Sequence, residues 1–512
     1  MSLLLALQIL PMLGALLLGA MPKIAPGCAR KLAFTWSLLP LALIIAIAIP
    51  LAKAPGEWAF GWSLPWLPAA DIQLRFAVNG LSGIFLALTG LLTTFALATT
   101  FFTGQASRGF GALVLILEAM LFGVFTARHF VPWFLCWELT LIPAYLLARA
   151  WGGPNAPVAA LRFFVVTLGG SVCMLAGFLV LQRAALTMDF DELANYAKGG
   201  RLAGMVAETL TGSASVGVMP LVLVAIAVFL GLAVKLPVVP FHAWLPAAYA
   251  EAPAPVSMLL TGVLSKMGVH GLLVVLLPIF PEALPVLAPW LKVLALATIL
   301  AAAFAALAQT DLKKILAYSS INHLGYCLLA VAAVAAGTAN AETRALALSG
   351  VVLQAFNHGI IASTLFCLTG LLEARANGAR GLHDFGGLRQ TMPAMAGVMG
   401  VAVFASLGLP ALGGFVGEFL IFRGVFGVDM LAALAAVPAL FITALFLLRM
   451  YRLVFHGPLA AGRAAMPDLT NGERAMLAVA VLMIILPGVC PQVLLHWLQG
   501  NSLLHLTSAV IP

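Results

Sequence analysis

The sequence has 512 residues, of which 63% are hydrophobic and only 9% are charged, with a formal net charge of +8. Soluble globular proteins carry about 25% charged residues, so this composition excludes a soluble domain and indicates a polytopic membrane protein. The basic residues lie in short loops between apolar runs, where the positive-inside bias explains them better than nucleic-acid binding does.

The apolar runs predict about fourteen membrane-spanning helices, because about 20 apolar residues cross a hydrocarbon core. They lack the alternation of barrel strands, so the expected fold is an all-α bundle with its N-terminus outside. The predicted spans, in chain order, lie near residues 2–21, 33–52, 78–103, 111–128, 130–149, 162–183, 219–240, 255–277, 288–308, 315–336, 347–373, 393–425, 431–455 and 475–497.

Two of these spans contain helix breakers that a simple anchor does not need. The seventh ends in a proline-rich stretch from Lys235 to Pro246, and the twelfth contains the Gly/Pro-rich segment from Leu407 to Glu418. Proline removes a helix hydrogen bond, so both helices are expected to be discontinuous. Broken helices in corresponding halves predict two inverted repeats.

The repeats suggest a division of the chain into four parts. Three N-terminal helices would occupy residues 1–110, and the two inverted five-helix repeats would occupy 111–277 and 288–455. A loop and the last helix would form residues 456–512.

Ionisable side chains within the spans are the candidate functional residues, because charge at membrane depth is costly and usually serves a function. Glu138 and Lys235 have opposite charges at similar depth, and we expect them to form a pair that opens and closes as an electrostatic gate. Lys266 can exchange a proton near neutral pH, since a buried lysine changes protonation readily. Glu418 lies beside a helix break that gives it access to water.

Other polar residues in the spans leave a choice between function and packing. His323 and His358 sit among hydroxyl and amide side chains, which suits a hydrated proton relay, although hydrogen bonds between helices would also explain them. His270 is one helical turn from Lys266 and fits either a functional or a packing role. The more ambiguous residues, which could be structural or reach the membrane surface, are Glu118, Arg128, His129 and Lys292.

The sequence offers no site for a cofactor or a metal. The six cysteines are scattered without a C-x-x-C pair, which argues against an iron–sulfur cluster or a disulfide framework. There is no dinucleotide-binding glycine motif after a strand and no Walker loop. His323 and His358 lack nearby carboxylates at metal-site spacing. We therefore expect no cofactor and no metal in this chain.

Four sequence blocks resemble the antiporter-like subunits of respiratory complex I, in particular the subunit M (NuoM or NdhD) type. The resemblance covers residues 80–460, and glutamate at position 418 favours subunit M over the subunit L type, where lysine is expected. The blocks occur in the same order as in the family, at residues 137–143, 235–268, 309–325 and 409–419.

This resemblance implies a fourteen-helix subunit of the membrane arm of an NADH:quinone oxidoreductase in a bacterial inner membrane. A quinone reaction elsewhere would drive proton translocation here, while NADH or ferredoxin, FMN, iron–sulfur clusters and quinone would bind to partner subunits. The expected partners are other antiporter-like and small membrane subunits and the lipid bilayer. The implied relay residues are Glu138, Lys235, Lys266, His323, His358 and Glu418.

Three other functions remain open at this point. The Arg128-His129 pair departs from the family pattern, and the block from Ala252 to Met258 leans toward hydrogenase-type and cation-antiporter relatives. The chain could therefore belong to a multi-subunit Na⁺/H⁺ antiporter, or to a hydrogenase or ferredoxin-dependent relative of complex I. An inert scaffold is the third alternative, and the number of buried charges argues against it.

Overall fold

The computed structural model describes residues 2–68, 72–105, 107–463 and 466–499, so the end of the predicted part 456–512 lies outside the described residues. Within the described residues, twelve helices are long and apolar enough to cross a membrane. The predicted class of polytopic helical membrane protein is confirmed. The predicted seventh and twelfth spans are not among these twelve, because each is divided into two shorter helices.

The N-terminal part contains three long helices and a hairpin. Its elements are α1 (Leu3–Ala20), α2 (Pro26–Leu51), β1 (Ala59–Leu67), β2 (Ile72–Val78) and α3 (Gly80–Thr103).

The next part runs through the first broken helix. Its elements are α4 (Arg108–Thr126), α5 (Phe130–Leu139), α6 (Leu141–Trp151), α7 (Ala156–Ala185), α8 (Phe190–Lys198), α9 (Leu202–Thr211), α10 (Met219–Lys235), α11 (Leu245–Glu251), α12 (Ala254–Leu259), α13 (Ser265–Gly271) and α14 (Leu277–Ile279).

The last part runs through the second broken helix. Its elements are α15 (Leu284–Ala308), α16 (Leu312–Ala335), α17 (Ala341–Arg375), α18 (Pro393–Ser406), α19 (Gly413–Phe426), α20 (Met430–Phe455), α21 (Asn471–Val489) and α22 (Gln492–Leu495). The order of crossings places the starts of α2, α16 and α21 on one membrane face with the basic loops. We call this side the basic face.

Both predicted helix breaks are present. Helix α10 ends at Lys235 and resumes as α11 at Leu245, while α18 ends at Ser406 and resumes as α19 at Gly413. The first break is held in place by side chains, because the Trp244 indole donates to the Val234 carbonyl at 3.1 Å and Thr298 Oγ1 accepts from the Val239 amide at 3.0 Å. The backbone groups that lose their helical partners at this break thus form hydrogen bonds inside the protein, as an apolar environment requires.

Two further irregularities were not predicted. The fifth span is divided at Thr140, between α5 and α6, directly after Glu138. The eighth span contains two π-helical turns, Leu260–Leu264 and Leu272–Leu276, on either side of α13. Such turns often occur at functional sites, and α13 carries Lys266.

A β-hairpin lies outside the membrane, where the sequence indicated only a loop. Its antiparallel strands β1 and β2 pair Ser63 with Arg75. The Arg75 carbonyl accepts from the Arg128 amide at 2.8 Å, and the Arg75 guanidinium pairs with Asp189 at 2.5 Å. The hairpin thereby ties the outer ends of α5 and α8 together on the face opposite the basic face.

The core of the bundle consists of α12–α14, α16 and α17. The apolar stretches of these spans are buried over 94%, 94% and 100% of their residues, whereas the most apolar stretches of α2 and α21 are each 28% buried. The central helices therefore face protein rather than lipid. These helices carry Lys266, His323 and His358.

The contact between α17 and α19 depends on glycine at position 417. A Cβ on Gly417 would lie 2.7 Å from the Gln354 backbone nitrogen, so we expect Gly417→Ala to force the helices apart and destabilise the subunit by about 1–3 kcal/mol. Gly397→Ala on α18 is the matched control, because a Cβ there meets no atom within 4 Å. Thermal unfolding of the detergent-solubilised protein measures both, and equal stability of the two variants would contradict this packing.

Candidate functional site

The six predicted site residues lie on six different helices. Glu138 is on α5, Lys235 ends α10, Lys266 is on α13, and the second half supplies His323 on α16, His358 on α17 and Glu418 on α19. Five of them are buried and Glu138 is partly buried. The structure brings four of the six into one continuous chain.

The chain of four starts at Lys266 and ends at Glu418. Lys266 Nζ lies 2.7 Å from Nδ1 of His358, and the His358 and His323 ring centroids are 5.2 Å apart. Nδ1 of His323 lies 2.9 Å from Oε1 of Glu418. We call these residues the buried chain. The first and last of these pairs are at hydrogen-bond distance, which proton transfer needs, and the two histidine rings between them lie next to each other.

Two side chains that sequence reasoning missed support the acidic end of the buried chain. The Gln354 amide nitrogen lies 3.4 Å from His323 Nδ1 and 3.3 Å from Glu418 Oε1. Ser406 Oγ lies 3.2 Å from His323 Nε2. Gln354 precedes His358 by one helical turn, and this spacing is the sequence signal that could have identified it.

A small cavity lies between these residues. It measures about 10 Å³ and is lined by the buried chain residues His323, His358 and Glu418 together with Gln354 and Ser406. A cavity of about this size is the smallest that holds one water molecule, provided that polar partners line it. A water here would have those partners and would bridge the two histidines.

The helix break between α18 and α19 shapes the surroundings of Glu418. Gly408 has φ +71°, and a Cβ there would lie 2.8 Å from Glu418 Oε2. Glycine meets both requirements, since it adopts a left-handed backbone and has no side chain. Asn357 Nδ2 donates to the Gly413 carbonyl at 2.6 Å and holds the start of α19.

Lys266 is fully buried yet well supplied with hydrogen-bond acceptors. Besides His358, its ammonium donates to the Thr261 carbonyl at 2.5 Å and lies 3.4 Å from Ser265 Oγ. The Thr261 carbonyl is in the π-helical turn before α13, where the regular helical ladder is interrupted. On the side toward the basic face, the Thr261 hydroxyl lies 2.9 Å from that of Ser320.

Glu138 and Lys235 are near each other but do not form a hydrogen-bonded ion pair. Among the described residues, neither Lys235 Nζ nor Glu138 Oε1 has a hydrogen-bond partner. Instead, Lys235 Nζ lies 5.3 Å from the centre of the Trp137 ring, in a cation–π contact. The two side chains are therefore separated in this structure.

The first pair and the buried chain are adjacent through a close helix contact. A Cβ on Gly268 of α13 would lie 2.9 Å from the Leu236 backbone nitrogen, directly after Lys235. Lys235 and Lys266 therefore lie on helices whose backbones touch.

Of the residues that left a choice between function and packing, three have structural partners. Lys292 pairs with Asp429 at 2.7 Å, Arg128 pairs with Asp191 and stacks on Trp58 at 3.7 Å, and His129 Nδ1 accepts from the Val131 amide at 3.2 Å. Glu118 and His270, by contrast, are buried, and within the described part of the chain their side-chain oxygens and ring nitrogens have no hydrogen-bond partner.

An ion cluster that sequence reasoning did not identify joins the two halves at the basic face. Arg380 contacts Glu251 at 2.6 Å and Asp311 at 2.7 Å, and Lys313 contacts Glu373 at 2.6 Å. Burial alone would lower the pKa of Arg380, but the hydrogen bond to Glu251 and the surrounding carboxylates raise it above its ordinary value. The cluster lines a cavity of about 270 Å³.

The described residues contain no group of three or more His, Cys, Asp or Glu side chains placed to hold a metal ion. The buried chain has one carboxylate, two imidazoles and one ammonium, and the ammonium has no lone pair for a metal. All four side chains are groups that can bind and release a proton.

Residues 127–443 match the family model described as NADH:quinone oxidoreductase/Mrp antiporter. The chain belongs to this family. A relative named NAD(P)H-quinone oxidoreductase chain 4 1, from Synechococcus sp. (strain JA-3-3Ab), is 34% identical and the match covers 91% of each chain. NADH-quinone oxidoreductase subunit M of Rickettsia prowazekii is 30% identical over 90% of this chain and 89% of its own. The resemblance to subunit M is thus confirmed.

Solved structures show the same fold. A chain of respiratory complex I from Thermus thermophilus with bound NADH has a TM-score of 0.85 and 26% identity, covering 99% of this chain and all of that one. A chain of the Mrp complex from Dietzia sp. has a TM-score of 0.83 at 20% identity, with 99% and 97% covered. Both of these neighbours are chains of multi-subunit complexes.

Arg380 is expected to be the main stabiliser of the ion cluster. Arg380→Gln leaves Lys313 as the nearby cation for the carboxylates of Glu251, Asp311 and Glu373. We expect this change to lower the free energy of unfolding by about 2–4 kcal/mol, slightly less than breaking a fully buried ion pair does. Arg474→Gln is the control, because Arg474 is half-exposed and lies 3.8 Å from Asp468; about 0–1 kcal/mol is expected there. Unfolding of the solubilised protein measures both, and an Arg380 variant as stable as the control would disprove this role.

Proposed function

We propose that this chain is a proton-translocating subunit in the membrane arm of an NADH:quinone oxidoreductase. The observation that carries the proposal is the buried chain of titratable groups from Lys266 through His358 and His323 to Glu418. Burying four such groups on four helices is costly for packing alone. The names of relatives at 30% and 34% identity agree with this assignment.

The proton moves along the buried chain in three transfers. Lys266 gives a proton to His358 Nδ1 and becomes a neutral amine. His358 passes a proton to His323 through the water-sized cavity, and His323 passes one to Glu418, which becomes neutral. Each group that has given up a proton receives one from the group before it, so the buried chain gains and loses no net proton over the cycle. Glu418 then releases its proton at the helix break toward the face opposite the basic face.

Protons reach Lys266 from the basic face. The cavity beside the ion cluster is lined by Glu251, Lys313, Glu373 and Arg380 and is large enough for several waters. The hydroxyls of Thr261 and Ser320 lie between this side and Lys266, which bonds to the Thr261 carbonyl. They provide the remaining hydrogen-bonding groups.

Glu138 and Lys235 control when the transfer occurs. In this structure Lys235 is separated from Glu138, and its helix touches the helix that carries Lys266. This separated arrangement is the open state, in which Lys266 gives up its proton. When Lys235 moves to Glu138, the gate closes and Lys266 is reloaded.

The energy source lies in other subunits. We propose that NADH or ferredoxin, FMN, iron–sulfur clusters and quinone bind to partner chains, and that this chain holds no redox centre, in a bacterial inner membrane. Its cysteines are separated from one another. Visible absorbance from flavin, haem or a cluster in the purified subunit would contradict this.

A second candidate function is a subunit of a multi-subunit Na⁺/H⁺ antiporter. The fold shared with the Mrp chain supports it, but that likeness is at 20% identity and extends to the fold alone. A hydrogenase or ferredoxin-dependent relative of complex I would use the same buried chain. Proton pumping that follows quinone reduction, without dependence on sodium, distinguishes the first proposal.

Removing the titratable groups at Lys266 or Glu138 should strongly reduce pumping. We expect Lys266→Met and Glu138→Gln, in the assembled complex in vesicles, to reduce proton pumping by at least about tenfold. The first loses a proton-transferring group, which costs about 10²–10⁴ in rate, and the second loses the partner that closes the gate. Proton uptake driven by NADH measures the effect.

The matched controls are Lys292→Met and Glu208→Gln, which remove the same groups outside the buried chain. Lys292 is a partly exposed partner of Asp429 and Glu208 is exposed on α9, so both variants should pump normally. Full pumping by Lys266→Met in an assembled complex would refute the proposal.

A further inference from the structure

An apolar groove runs between the N-terminal helices and the last long helix, away from the buried chain. Its volume is about 480 Å³, and the side chains that form it are almost entirely hydrocarbon. Helices α2, α3 and α21 form its walls, and Ile360 of α17, two residues after His358, lies at its back. Its lining includes Ala98 and Phe101 on α3 and extends from Gly472 to Met483 along α21.

The groove has a basic group at the end near the basic face. The Arg30 guanidinium lies 4.6 Å from the centre of the Phe101 ring, and its Nη1 donates to the Thr100 carbonyl at 3.2 Å. Among the described residues its buried Nε has no hydrogen-bond partner. Lys31, the next residue on α2, is exposed and adds a second positive charge at this end of the groove. An anion at this point would meet the free Nε–H of Arg30 and the positive charge of Lys31.

The depth of the groove matches one leaflet of a bilayer. Along α21 it extends from Gly472 to Met483, which is about 16 Å at the helical rise of 1.5 Å per residue. Half of a hydrocarbon core is about 15 Å. A spanning helix of a partner subunit needs the full thickness, so a groove of this depth suits an acyl chain better than a helix.

We propose that this groove binds a phospholipid with an anionic headgroup from the leaflet on the basic face. An acyl chain fills the groove, and the phosphate of the anionic headgroup lies against Arg30 beside the exposed Lys31. The site is independent of the proton-relay proposal, because no member of the buried chain lines it. Its wall includes α17, so the lipid also packs against a helix that carries His358.

Photolabelling of the intact complex tests the site. The complex is placed in phosphatidylcholine nanodiscs that contain a trace of phosphatidylglycerol with a photoreactive acyl chain, or of phosphatidylcholine with the same chain. We expect the anionic probe to label peptides of α2, α3 and α21 more strongly than the neutral probe does. Arg30→Gln should reduce this preference about fivefold, the contribution of one basic residue near an anionic surface. Arg162→Gln, an exposed basic residue on α7, should leave it unchanged.

A second variant removes the groove instead of the charge. Ala98→Phe places a ring in the groove and should abolish labelling by both probes, while Ala301→Phe on the exposed side of α15 should have no effect. Equal labelling by both probes in the unmodified complex would overturn the proposal. Labelling of a partner subunit in place of these three helices would also overturn it, because the groove would then be covered by protein.

Discussion

The structure depends on the cost of placing ionisable side chains where water is scarce. Lys266 is fully buried, and His358, His323 and Glu418 are nearly so. Each of these groups is tolerated because its neighbour supplies a hydrogen bond, so removing one group raises the cost of burying the next. The contacts that reduce this burial cost also bring neighbouring groups close to one another.

Interruptions of the helices make this arrangement possible. The break before Gly413 allows Glu418 to point at His323, and glycine at 417 lets α19 approach α17 closely. In the π-helical turn before α13, the Thr261 carbonyl accepts from Lys266 and from the Ser265 hydroxyl. The break after Lys235 leaves that lysine at a helix C-terminus, where a cation is favoured by the helix dipole. Irregular backbone occurs where the protein holds charge.

Sequence reasoning identified the features that are local in the chain. Composition predicted the membrane class, prolines and glycines predicted the two helix breaks, and charge within apolar runs singled out Lys266 and Glu418. It did not predict Gln354 or Ser406, because their importance arises from contacts between helices far apart in sequence. The Arg380 cluster was missed for the same reason, since its partners Glu251 and Asp311 come from different halves. The hairpin carries too few residues with a clear alternating pattern to be distinguished from a loop.

Glu418 is the end of the buried chain and the most direct place to test it. Proton pumping and quinone-linked electron transfer are measured together in vesicles for Glu418→Ala and Glu418→Asp. We expect Glu418→Ala to abolish coupled pumping and much of the electron transfer, since a blocked relay stalls a coupled complex. Glu418→Asp keeps a titratable group and should retain part of both. If Glu418→Ala instead pumps with an unchanged ratio of protons to electrons, Glu418 is a helix-packing residue and the relay does not end there.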